Sequence, residues 1–204
     1  MDKTSRGIEK AAEVEPIKSI KDIAKVKQYL IGKNSKRDYM LFVVGINIGL
    51  RAGDLLNLRI CDVLLDGHIV DRVTINEEKT EKRREFELNT SAKDAITLYL
   101  STLKDIDDED YLFTSRKGSG ALTVASAHKI IKTTLKELNI KGNYGTHTLR
   151  KTFAYHIYTN NIKENPGILN TLQKMLNHSS ASVTLRYIGI TKKVIADVYK
   201  NLNL

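Results

Sequence analysis

The chain has 204 residues, of which 41% are hydrophobic and 28% charged, enough for one domain with a sizeable core. Lys and Arg number 33 against 24 acidic residues, and the resulting charge of +9 favours polyanions, because each phosphate neutralised releases condensed counterions. A single cysteine excludes an internal disulfide framework and a cysteine-based zinc cluster, the first residues carry no secretory apolar segment, and the longest apolar run, 40–50, is too short to span a bilayer. A cytoplasmic protein without a membrane partner is expected, with Cys61 a buried small hydrophobe inside the apolar stretch 58–65.

Residues 1–16 are polar, end at Pro16 and read as a loose leader before a domain over 17–204. Ile23, Val26, Leu30 and Ile31 recur at helical spacing over 18–31, with Gly32 as the glycine that closes the helix. Ser35, with Asp38 three residues on, has the form of a capping box opening a second helix. The body of that helix, 39–48, is apolar almost all round, as a buried central helix would be, and Gly49 ends it. A short helix bearing Leu55, Leu56 and Leu58 follows. Residues 68–76 and 82–88 alternate as two strands around the polar turn EEKTE, with Val73, Ile75, Phe86 and Leu88 on the apolar side. A helix over 91–104 contributes Ala95, Leu98 and Leu103, an acidic loop spans 105–110, and a basic flexible one spans 116–120. A long helix over 123–138 is expected to bury Val124, Ile130, Ile131, Leu135 and Leu138. Thr146 caps the next helix, shorter ones cover 169–176 and 182–187, and an amphipathic segment over 192–202 comes last.

Three stretches can carry chemistry. In THTLRKTF (146–153), His147 and Arg150 lie three apart and project from one helix face near its N-terminus, where an anion is favoured. In GLRAGDLLNLR (49–59), Arg51 stands between two apolar helices, where a partly desolvated guanidinium needs a carboxylate or a bound phosphate; Asp54 is the candidate internal partner. In NHSSASVTLRY (177–187), Ser179 or Ser180 can cap a helix that separates His178 from Tyr187 by roughly two turns. Singly, each has a bland explanation: a solvated helix face, an internal ion pair, a packing tyrosine.

Together they form an ordered set: an arginine after a buried helix, a lysine in a hairpin turn, His-x-x-Arg, Leu-Asn-His-Ser-Ser and a following tyrosine. This resembles the tyrosine recombinase (phage integrase) family over about residues 16–204. The resemblance implies an α+β, mainly helical catalytic domain with a small antiparallel sheet. It implies a site-specific DNA recombinase that cleaves and rejoins DNA through a covalent 3′-phosphotyrosine, with neither cofactor nor metal. Arg51 and Arg150 would then clamp the scissile phosphate, and His147 and His178 would assist with protons. Lys79, or Lys82 close by, would protonate the leaving oxygen, and Tyr187 would be the nucleophile. Double-stranded DNA, a homotetramer assembled on it and an accessory DNA-binding protein are the implied partners. Only about 16 residues precede the core, so a one-sided grip on DNA is expected unless protomers or the accessory protein complete the clamp. The final segment would dock on a neighbouring protomer or fold back on its own core. Asn177 replaces the family's usual glycine, a change that asparagine tolerates in a left-handed turn, and Asp54 stands where an acidic residue commonly supports the first arginine. A non-cleaving DNA-binding regulator of the same fold is the alternative; a type IB topoisomerase shares the chemistry but not the LNHSS motif.

Overall fold

The computed structural model describes residues 13–116, 118–189 and 200. Helix α1, Ile20–Gly32, opens with Ser19 accepting the Asp22 N–H at 3.1 Å and turns Ile23, Val26 and Leu30 inward. Gly32 is its last helical residue rather than its left-handed stop; Asn34 takes that turn with φ 52°, which a short polar side chain tolerates. Helix α2, Lys36–Ile48, is the buried centre, with Met40, Phe42, Val43 and Val44 fully enclosed. Its expected capping box does not form. Ser35 makes no side-chain cap, and the buried Asp38 carboxylate is taken by Arg37 at 2.7 Å and Arg116 at 3.5 Å.

After Gly49 come α3, Ala52–Leu56, and α4, Ile60–Val63. The four-residue helix sends Ile60 and Val63, three apart, into the core, which leaves Cys61 exposed instead of buried. The stretch 68–76 is two strands, not one. Strand β2, His68–Ile69, pairs with β1, Leu64–Leu65, while β3, Arg72–Asn76, pairs antiparallel with β4, Arg83–Glu87, setting Val73 opposite Phe86. The chain breaks between them because Val70 N–H turns to Val63 O (3.0 Å) and Asp71 O accepts from Leu88 N–H (2.8 Å). The two small antiparallel sheets beside a helical body are the fold class the sequence implies.

Helix α5, Thr90–Leu100, ends earlier than its periodicity suggests and packs Ala92, Ala95, Ile96, Tyr99 and Leu100 against the core, with Leu98 and Leu103 only half-buried. Helix α6, Val124–Glu137, is capped by Thr123; its inward stripe is Ala127, Ile131, Thr134 and Leu135, so Val124 at the first position is exposed. Helix α7, Thr146–Asn161, has Gly145 as its N-cap, not Thr146, and Gly145 N–H donates to Thr148 Oγ1 at 3.0 Å. Helices α8, Ile168–Met175, and α9, Ala181–Tyr187, complete the described body, α9 capped by Ser180. Of the expected leader, residues 1–12 lie outside the described residues, as does the expected helix over 192–202 apart from Lys200. Residues 13–17 run beside α7: Ile17 N–H donates to Thr152 Oγ1 at 2.9 Å, and Ile17 O meets His156 Nε2 at 3.0 Å. Among the described residues no helix is long and apolar enough to cross a membrane.

Helix α7 is the spine that positions the site. Leu149 belongs to the large core and Phe153, one turn on, to a second, smaller cluster with Ala154, Leu172, Leu176 and Ile188. Two glycines of the α2 segment, also one turn apart, let α7 approach closely. A Cβ on Gly45 would stand 2.6 Å from Leu149 Cδ1, and one on Gly49 2.2 Å from Phe153 Cδ1. Gly49 is also left-handed, φ 60°. Gly49→Ala therefore combines backbone strain with overpacking, and a loss of about 3 kcal/mol is expected. Urea titration checks this: a midpoint within error of the parent would contradict the close approach.

Candidate active site

Arg150 sits on α7 where the two cores meet and is only 4% exposed. Its Nη1 donates to Gly49 O and its Nη2 to Leu176 O, both at 2.6 Å, so one guanidinium ties the end of α2 to the end of α8. Burial pulls its pKa down to about 10, which leaves it fully charged at neutral pH. Two of its five N–H donors are spent on carbonyls, and the guanidinium also lies beside the Tyr187 hydroxyl.

Arg51 is the residue that caps α3, two positions beyond Gly49. Its Nη1 is 2.7 Å from Glu77 Oε2 and 3.9 Å from Asp54 Oδ2. The i,i+3 spacing pointed to Asp54, but the closer carboxylate is Glu77, carried in by the β3–β4 hairpin. Asp54 Oδ1 instead accepts the Glu78 N–H at 2.9 Å. Glu77 is 2% exposed and also receives Thr80 Oγ1 (2.7 Å), Arg84 Nη1 (3.2 Å) and Asn177 Nδ2 (3.4 Å). Burial would raise its pKa, but the donors Thr80, Arg51 and Arg84 and the Arg51 charge prevail and hold it at about 2.

His178 follows the turn after α8, in which Asn177 has φ 51°, the left-handed geometry expected of it. Its Nδ1 and Thr184 Oγ1 share a hydrogen bond of 3.0 Å, and its ring meets the Tyr187 ring edge-on at 4.9 Å. Burial first, then the charges of Arg150 and Arg51, push its pKa down to about 4. His147, in the first turn of α7, is exposed at its surface; partial burial and the Arg150, Lys151 and Arg51 charges lower its pKa too.

Tyr187 is the last residue of α9. Its hydroxyl is buried and makes no hydrogen bond of normal geometry, although the Arg150 guanidinium lies near enough to favour the phenolate. Burial dominates and raises the phenol's pKa; Arg150 and Arg51 oppose that, and Glu13 adds to it. Lys151, itself buried, stands over the Tyr187 ring at 5.0 Å and pairs with Glu13 Oε1 at 2.7 Å.

Five of the six residues singled out from the sequence thus gather at one place: Arg51, His147, Arg150, His178 and Tyr187. Lys79 does not join them. It stands exposed at the tip of the β3–β4 turn, whereas Lys82 lines an adjoining cleft of about 610 Å³ with Phe86, Phe153 and Met175. Among the described residues, Asp54 Oδ2 and Tyr187 Oη are buried without a hydrogen bond of normal geometry, and both are here; Arg51 Nη1, poorly aligned for one, is ion-paired with Glu77 at 2.7 Å. An anionic ligand here would meet the Arg51 and Arg150 guanidiniums, while the Asp54 oxygen, itself an acceptor, keeps Arg51 as its partner at 3.9 Å. No group of three His, Cys, Asp or Glu among the described residues is placed to hold a metal ion.

The depressed His178 and Glu77 values set an acid limit on stability. Each unfolded group takes up its proton at a higher pH than the folded one. The His178 contribution is complete above about pH 6.5 and lost toward pH 4, and the Glu77 contribution is lost from about 4.5 toward 2. Tm should fall from pH 6.5 to 4, and the fall should be shallower in His178→Gln. An equal slope in the two proteins would contradict the His178 assignment.

The fold is that of the catalytic domain of tyrosine recombinases. The crystal structure of XerA recombinase superposes with a TM-score of 0.69 at 22% identity, over 95% of this chain and 68% of that one. XerH site-specific recombinase in a post-cleavage complex with its palindromic difH substrate gives 0.68 at 22%, over 94% of this chain and 54% of that one. The chain belongs to the phage integrase family, whose model matches residues 14–193. A probable integrase/recombinase of Bacillus subtilis, YoeC, is 41% identical over 189 residues, spanning 92% of this chain and 96% of the relative. Of the curated XerC and XerD tyrosine recombinases that it matches, the chain spans about half: 46% of a XerC from Caldanaerobacter subterraneus and 54% of a XerD from Listeria monocytogenes.

Proposed function

We propose that the chain is a site-specific DNA recombinase that breaks and rejoins strands through a phosphotyrosine formed at Tyr187. The observation that carries this reading is the buried Tyr187 hydroxyl beside the Arg150 guanidinium and within the field of Arg51. In the first step the phenol oxygen bonds to phosphorus and the bond to the 5′ oxygen breaks, leaving a 3′-phosphotyrosine and a free 5′-hydroxyl. Charge building on the non-bridging oxygens falls to the remaining donors of Arg51 and Arg150, which are oriented before the reaction. The phenol is buried and its pKa raised, so it ionises as it attacks, with His147 the exposed imidazole able to pass the proton outward. A 5′-hydroxyl from another strand reverses the step, and the bond energy is conserved without a cofactor.

Lys79 is the general acid of this reading, on a hairpin that must bring it to the leaving oxygen. Lys79→Ala should slow cleavage by about 10² to 10³-fold on ordinary DNA. A 5′-bridging phosphorothiolate, whose sulfur leaves without a proton, should restore most of the rate. Lys82→Ala should have the smaller effect; the reverse order would move the role to Lys82. Double-stranded DNA, a tetramer assembled on it, an accessory DNA-binding protein and a cytoplasmic location belong to the same reading. So does the division into a leader over 1–16 and a catalytic domain over 17–204. The basic charge of +9 and the DNA-bound XerH neighbour support DNA as the partner. Nicked suicide duplexes tiled across the DNA flanking the chain's own gene provide the test. A covalent protein–DNA band on a denaturing gel is expected; its absence throughout would favour the non-cleaving regulator.

A further inference from the structure

The sequence marks the β3–β4 turn by its lysine, yet the most constrained side chain there is Glu77, at the base of the turn. Its backbone closes the loop: Glu77 N–H donates to Lys82 O at 3.0 Å, and Glu77 O accepts from Glu81 N–H at 2.8 Å. Its carboxylate reaches three different parts of the site. Thr80 Oγ1, next to Lys79, donates to Oε2 at 2.7 Å; Arg51 Nη1 lies 2.7 Å from the same oxygen; Asn177 Nδ2, just before His178, donates at 3.4 Å. Arg84 Nη1 takes Oε1 at 3.2 Å, and Arg84 Nη2 reaches back to Ile48 O and Gly49 O at 3.4 and 3.3 Å. The turn is held from the other side as well, where Asp54 Oδ1 accepts Glu78 N–H at 2.9 Å. Lys79 itself is exposed, so its place depends on the loop beneath it.

We propose that Glu77 is a positioning residue: its buried carboxylate anchors the Lys79 turn to the Arg51 guanidinium, so that the acid for the leaving group is presented to the phosphate that Arg51 grips. This rests on the phosphotyrosine reading above. A carboxylate that merely neutralised Arg84 would matter for stability alone. One that seats the turn matters for the step that needs the lysine's proton. Asn177, standing where the family usually has glycine, gives this chain an additional donor to the same carboxylate.

Single-turnover cleavage of a suicide duplex with either an ordinary or a sulfur 5′-bridging atom separates these roles. The proteins compared are the parent, Lys79→Ala, Glu77→Gln, Thr80→Val and the Lys79→Ala/Glu77→Gln double variant. On ordinary DNA, Glu77→Gln should lose about 10²-fold and Thr80→Val about 10-fold, fractions of what general-acid catalysis supplies. On the sulfur substrate the Glu77→Gln loss should shrink below about 10-fold, as for Lys79→Ala, and the Thr80→Val loss to within about 2-fold of the parent; the double variant should be no slower than Lys79→Ala alone. Thr80→Val leaves no buried charge unmatched, so it carries the test if Glu77→Gln is poorly folded by Tm. Equal losses on the two substrates, or an unchanged rate on ordinary DNA, would overturn the role of Glu77 while leaving the nucleophile intact. No adduct from the parent on either substrate would overturn the phosphotyrosine reading itself, and this inference with it.

Discussion

Tyr187→Phe is expected to abolish the covalent protein–DNA product while leaving the fold untouched. The substitution removes one oxygen, and in the proposed reaction that oxygen is the atom that bonds to phosphorus. Losing a nucleophile that acts in concert with its neighbours costs at least about 10⁴-fold, below detection in a gel assay. Stability should not follow. The hydroxyl is buried without a hydrogen bond of normal geometry, and its neighbour Arg150 keeps both of its carbonyl partners when it is deleted, so a change within about 1 kcal/mol is expected. The ring keeps its edge-on contact with His178 at 4.9 Å and its place under Lys151. DNA binding in a gel shift should persist, because the cations that attract phosphate are unchanged. A Phe variant that still forms the adduct would move the nucleophile to another of the nine tyrosines.

Arg150→Ala carries the second large effect, and it should appear in rate and stability together. In the proposed transition state this guanidinium stabilises charge on the phosphate, and removing such preorganised donors costs about 10²–10³-fold or more. In the folded protein the same side chain donates to Gly49 O and Leu176 O at 2.6 Å each, joining the segment that holds Arg51 to the one that leads to His178. Alanine leaves both carbonyls without a charged donor, at about 1–3 kcal/mol. Arg150→Lys keeps the charge but not the fork, since an ammonium on a flexible stem cannot span two carbonyls and a phosphate at once. It should recover part of the stability and little of the rate. Arg51→Ala makes the contrast: comparable loss of rate, but Glu77 keeps Arg84 and Thr80, so less destabilisation is expected. Full activity in Arg150→Lys would show that only net charge matters here, contrary to the geometry.

Most of the site was legible because its residues lie in short local patterns. His147 and Arg150 share a helix face by spacing alone, Ser180 announces the helix that ends at Tyr187, and the all-apolar run 39–48 announces the buried helix that places Arg51. The partner of Arg51 was not legible. Spacing along one helix suggested Asp54, whereas Glu77 arrives through hairpin pairing, a contact between positions 26 apart that no local pattern encodes. Strand alternation sets Arg84 on the face of Phe86 and Leu88, but no local pattern encodes its reach to the carbonyls that end α2. Smaller errors have local causes. Cys61 and Val124 sit at helix starts, where one position decides between core and solvent, and the apolar windows around them do not resolve it. The stretch 68–76 alternates like one strand, but its halves find different partners on either side of residues 70–71. Gly32 looked like the stop of α1, but Asn34 tolerates the same left-handed turn.

Peptide mapping of the trapped adduct tests the central claim most directly. The protein is incubated with a nicked suicide duplex, digested with protease and nuclease, and the peptide carrying residual nucleotide is sequenced by mass spectrometry. The expected result is a single modified peptide with a nucleotide joined through its 3′-phosphate to the Tyr187 oxygen. Nucleotide on Tyr155, Tyr158 or a serine, or a linkage through a 5′-phosphate, would contradict it.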